Sequence, residues 1–143
     1  MSTKIFINLS VLVLLKFHTA VAADELPDYG TLEGVYDVVG RKPDSQETYT
    51  GAVELRANAT GLRVERRIGA STVVGTAQFE FKTPDKIQVL QIKFKDGEKS
   101  YESICRIGWD LDNYARITCL YGVMGKTESP GMEAFFIQQQ PSQ

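Results

Sequence analysis

From Gly34 to Ile137 the chain keeps one rhythm. Short runs of alternating apolar and polar residues are each closed by Gly, Pro, Asn or Asp after ten to fifteen residues. Alternation with a period of two places successive side chains on opposite faces of a strand, and no window sustains the period of an amphipathic helix. The second run sets Tyr49, Gly51, Val53 and Leu55 on one face, and the third sets Leu62, Val64, Arg66 and Ile68 together. The fourth aligns Val73, Gly75, Ala77, Phe79 and Phe81. The fifth, Ile87 to Phe94, is apolar at most positions, so its inner face stays undecided. About eight strands with turn-length links predict an all-β domain: a small up-and-down antiparallel β-barrel, with a β-sandwich as the alternative. Closure is favoured because neighbours joined by tight turns pair with each other and a twisted sheet of this width curls. Glycines inside the second and fourth strands suit the bends this requires.

The first residues read differently. One lysine lies in Met1 to Lys4, an apolar run follows from Ile5 to Leu15, and Ala20-Val21-Ala22 precedes Ala23-Asp24. This is the grammar of a secretory signal peptide, and the apolar run is shorter than the roughly 20 residues a membrane-spanning helix needs. The expected organisation is a signal peptide over 1–22, a flexible lead over 23–30, the barrel domain over 31–137 and a disordered tail over 138–143. Cleavage leaves about 120 residues, one domain's worth. It also removes Lys4 and Lys16, taking the formal charge from −2 to −4. A mildly acidic chain gives no reason to expect nucleic acid as a partner. No cysteine at the new N-terminus offers a lipid anchor, so the expected location is periplasmic or secreted.

In an exported chain two cysteines imply a bridge. Alternating runs flank Gly108-Trp109-Asp110-Leu111-Asp112-Asn113. Centring the turn on Asp112 sets Cys105 opposite Cys119, Ile107 opposite Ile117 and Ser103 opposite Tyr121. Opposed residues at a non-hydrogen-bonded position approach to about 4.5 Å, within reach of a disulfide.

Gly34-Val35-Tyr36 is similar to the G-x-W opening of lipocalins and avidins, with tyrosine replacing tryptophan. A broader likeness runs from Leu32 to Glu133. The order Gly34-x-Tyr36-x-Val38-x-Gly40, Pro43-Asp44, Tyr49-x-Gly51-x-Val53 and Gly131-x-Glu133 resembles a group of small exported bacterial β-proteins, mostly uncharacterised. Ser45 stands where those proteins often carry glycine, and the cysteine hairpin is additional. The resemblance implies export and a calycin-like barrel, and it brings no catalytic residue.

The one histidine, His18, lies in the leader. The mature chain therefore lacks a Ser-His-Asp or Cys-His site and the commonest zinc and copper ligand. Bridged cysteines supply no thiolate. Asp110, Asp112 and Asn113 imitate part of a calcium loop but lack its glycine and distal glutamate, so they read as turn chemistry. No cofactor and no metal site is expected.

Arg66 breaks its pattern, because parity points it into the core with Leu62, Val64 and Ile68. A buried arginine needs an anionic partner. One reading makes that partner a ligand held in a cavity edged by Tyr36, Tyr49, Tyr101 and Tyr121. The other makes it Glu133, which shares parity with Phe135 and Ile137, or turns Arg66 to water at a bulge. Trp109 and Leu111 either form a protein-binding tip or cover the barrel end. The expected function is an exported, non-enzymatic binding protein that holds a small ligand in the barrel or a partner protein at its loop end. The alternatives are an envelope structural or interaction protein without a ligand, and an enzyme working through carboxylates. Phe79, Phe81, Phe135 and Tyr121 are large residues with inward parity that could fill the interior; a filled interior would shift the expectation to protein binding around Trp109 and Leu111. A pocket touching Arg66 would point to an anionic ligand.

Overall fold

The computed structural model describes residues 28–82, 84–109, 115–126 and 128–138. Eight antiparallel strands follow in order: β1 (Gly34–Arg41), β2 (Thr48–Asn58), β3 (Gly61–Ile68), β4 (Ser71–Lys82), β5 (Ile87–Asp96), β6 (Lys99–Trp109), β7 (Ala115–Val123) and β8 (Gly131–Ile137). Each pairs with the next, and β1 also pairs with β8, so the sheet closes into an up-and-down barrel. Closure leaves no free edge. The sandwich alternative falls with it.

Inward side chains fill the lower part of the barrel. Tyr36, Leu55, Leu62, Leu90, Ile92, Ile117 and Phe135 are almost wholly buried. β5 turns Leu90, Ile92 and Phe94 inward, opposite Cys105, Ser103 and Tyr101. Its alternation is blurred because Val89 and Gln91, on the outer face, are also buried. Gln91 Nε2 donates to the Glu102 carboxylate of the neighbouring strand.

Two expectations about packing change. Regular structure begins at Asp28, inside the expected lead. Tyr29–Leu32 form a 3-10 turn capped by the Asp28 side chain, which accepts from the Gly30 amide at 2.9 Å. Burial of Leu32 and stacking of Tyr29 on Phe79, 5.0 Å between ring centres, hold this turn across one end of the barrel. The Tyr29 hydroxyl accepts from the Phe79 amide. Phe81 does not fill the interior. It is 45% exposed, because β4 continues past Phe79 to a level where it faces only the start of β5.

The cysteine register matches the expectation. Cys105 faces Cys119, Ile107 faces Ile117 and Ser103 faces Tyr121. The Cys105 and Cys119 sulfurs are bonded, with the Cα atoms 4.0 Å apart.

Candidate functional site

In an up-and-down barrel alternate connections share one end. The 3-10 turn occupies the end with the β2–β3 and β4–β5 connections. The opposite end, ringed by the β1–β2, β3–β4, β5–β6 and β7–β8 connections, opens into a cup of about 530 Å³. Arg66, Tyr49, Tyr101 and Tyr121 all line it.

Glycines shape this end. Gly40 on β1 lies in register between Tyr49 on β2 and Glu133 on β8. A β-carbon at Gly40 would stand 2.5 Å from the Tyr49 ring, so only glycine lets that ring cross β1 towards Glu133. Gly131 does the same for Tyr121, whose ring would meet an added β-carbon at 2.4 Å. Close approach over a bare backbone is a use only glycine offers.

Beneath the cup Arg66 and Glu133 are each only 3% exposed. Arg66 donates through both terminal nitrogens to the two Glu133 oxygens, at 3.0 and 2.5 Å. The Tyr49 hydroxyl lies 2.5 Å from Glu133 Oε1 and 2.8 Å from the Tyr121 hydroxyl. With one proton to give, Tyr49 donates to the carboxylate and accepts from Tyr121. The Arg66 guanidinium lies over the Phe94 ring, 4.4 Å from its centre, and 5.9 Å from that of Tyr121. Phe94 stacks in turn on Tyr101 at 5.0 Å, the two planes 7° apart. The floor is thus a desolvated, bidentate ion pair boxed by aromatic rings.

Burial acts to lower the Arg66 pKa, but the Glu133 carboxylate outweighs it, and the guanidinium is held more firmly charged than usual. Burial, then Glu133, pushes the Tyr49 phenol well up, and burial raises that of Tyr121. Burial alone pushes Tyr36 up to about 12. These phenols keep protons that the unfolded chain releases near pH 10. Their stabilising contribution is therefore complete below about pH 10 and is lost as pH rises beyond it. An alkaline titration should show the phenolate absorbance of Tyr36, Tyr49 and Tyr121 appearing only as the folded circular dichroism disappears. Absorbance reaching its full value for all six tyrosines with the fold intact would refute this.

Tyr36 is the misplaced member of the expected site. It sits in the core at the closed end, fully buried against Phe135, and its hydroxyl donates to the Leu32 carbonyl at 2.9 Å. Trp109 ends β6 opposite Ala115. Leu111 and the imitation calcium loop of Asp110, Asp112 and Asn113 lie outside the described residues, as do residues 1–22, where a signal peptide is expected. Sequence reasoning found Arg66, its partner Glu133 and three wall tyrosines. It missed Phe94 and the rim residues Lys42, Asp44, Ser71, Asp96 and Lys99. The rim was hidden because turn residues converge only once strand order puts alternate turns at one end.

No protein-family model matches this chain, and no curated protein matches its sequence. Chemistry at the cup therefore rests on its own residues. Among the described residues no group of three or more Asp, Glu, His or Cys side chains could hold a metal ion. A second concavity of about 610 Å³ runs along the outer face. Val39, Leu120 and Met132 line it, each about half exposed.

Proposed function

We propose that this is an exported, non-enzymatic binding protein that holds a small ligand in the cup at the open end of its barrel. The observation that carries the reading is the cup itself. It is a preformed concavity of about 530 Å³ with aromatic walls and a buried polar floor, the usual build of a small-molecule site. The floor is suited to holding shape rather than to chemistry. Arg66, Glu133 and Tyr49 are locked in mutual hydrogen bonds, and both phenols are weaker acids than usual. Neither phenol is a ready base at neutral pH. The leader and the Cys105–Cys119 bridge support residence in an oxidising compartment, the periplasm or the exterior.

Native mass spectrometry of the protein purified from its own host tests this reading. The expected spectrum shows a retained small molecule on a chain that begins at or near Ala23. Catalytic turnover abolished by Glu133→Gln would overturn it. So would a ligand-free protein that instead carries a partner over the apolar outer face of β7, β8 and β1.

A further inference from the structure

We infer that the cup takes an uncharged, hydroxyl-rich ring compound with the chemistry of a short neutral saccharide. This rests on the reading of the cup as a ligand site and narrows it.

Charge decides first. A cup touching Arg66 was expected to favour an anion, but Glu133 already occupies that guanidinium through two hydrogen bonds. An anion that captured Arg66 would leave a buried carboxylate with Tyr49 as its remaining partner. Breaking the buried pair would leave the Glu133 charge uncompensated and out of water, a loss that a contact at the solvated rim does not return. The rim offers no net attraction in compensation. Lys42 and Lys99 line the same opening as Asp44 and Asp96, and Lys42 is bonded to Glu47. The cup presents balanced charge over a neutralised floor.

Polarity decides next. A purely apolar ligand would strip water from Ser71, Tyr101, Asp96 and Lys99 and give nothing back, which is unfavourable for each group left without a partner. An acyl chain has nowhere to go, because Tyr36, Leu55, Ile92 and Phe135 fill the barrel below. A hydroxyl both donates and accepts, so a ring bearing several hydroxyls satisfies an ammonium, carboxylates and phenols around one rim. The apolar faces of such a ring suit the half-buried Tyr101, which stands on Phe94 beside Tyr121 and pairs an apolar body with a polar tip.

The test is an amide NMR titration of the folded, disulfide-bonded protein. The probes are cellobiose and maltose as neutral saccharides, citrate and glucuronate as anions, and indole as an apolar ring. The expected result is saturable movement of amides in residues 96–101 and 121–123 with at least one disaccharide. Tyr101→Ala and Asp96→Asn should each weaken it about tenfold, and the anions should not compete. Asp96→Asn preserves side-chain shape at the exposed end of β5, so its effect reads binding and not folding. Saturation by an anion or by indole but by neither sugar would overturn the saccharide inference and leave the cup as a ligand site. A charged molecule retained from the host would do the same. An absence of binding by any probe, together with a ligand-free protein from the host, would overturn both readings.

Discussion

Glu133→Ala should lower the stability of this protein by about 3–5 kcal/mol, the range found when one partner is removed from a buried ion pair. The reason lies in what the substitution leaves behind. Arg66 would remain almost entirely out of solvent with both terminal nitrogens stripped of their acceptors. The Tyr49 hydroxyl would lose the carboxylate it donates to. Total stabilities of small domains are about 5–15 kcal/mol, so the variant should sit near the edge of folding. Urea denaturation measures the change. Arg66→Met combined with Glu133→Leu should recover most of the loss, because no charge is then buried and the volume is roughly kept. A Glu133→Ala loss of unfolding free energy of no more than ~1 kcal/mol would place the pair with exposed salt bridges and contradict the geometry. The double variant also separates structure from function. If it folds as well as the original and no longer binds in the cup, the pair is kept for its ligand and not for stability.

That pair shows what the sequence disclosed. Arg66 stood out because strand parity placed a guanidinium among Leu62, Val64 and Ile68. Glu133 was legible as its partner by the same parity on the last strand. The eight strands were legible because turn formers punctuate them and because most outward positions on β2 and β3 are charged or small and polar. The cysteine register followed from counting outward from one turn. Depth along the barrel axis was not legible. Parity says which side chains enter the barrel but not at what level. Tyr36 therefore looked equivalent to Tyr49, although it pairs with Val53 while Tyr49 pairs with Gly40, four residues nearer the open end. Phe81 failed for the same reason at the other end of β4. The 3-10 turn was hidden behind Pro27 and a polar stretch. Its signal was local: an Asp28 cap ahead of Tyr29 and Leu32, two residues with apolar surface to bury. Gly40 and Gly131 looked like ordinary strand breakers until the tyrosine rings that cross them were placed.

Replacing both cysteines, Cys105→Ala with Cys119→Ala, should lower stability by about 3 kcal/mol, the chain-entropy value for a loop of roughly 15 residues. The bridge spans a separation of 14 residues and joins directly opposed positions of β6 and β7. Its main effect falls on the unfolded chain, whose freedom it restricts, and a smaller cavity effect adds to it because both sulfurs lie in the core. The same two strands carry Tyr101 and Tyr121 to the cup, four residues before Cys105 and two after Cys119. A covalent tie at that level fixes the register on which the aromatic wall depends. A slip of one residue between these strands would turn one of the two tyrosines outward and break the wall. The alanine pair should therefore lose ligand affinity in parallel with its lowered urea midpoint. Alanine is preferred to serine in this test, because two buried hydroxyls would add an unrelated penalty. Equal midpoints for the bridged protein and the alanine pair would show that the β6–β7 ladder holds this register without its staple.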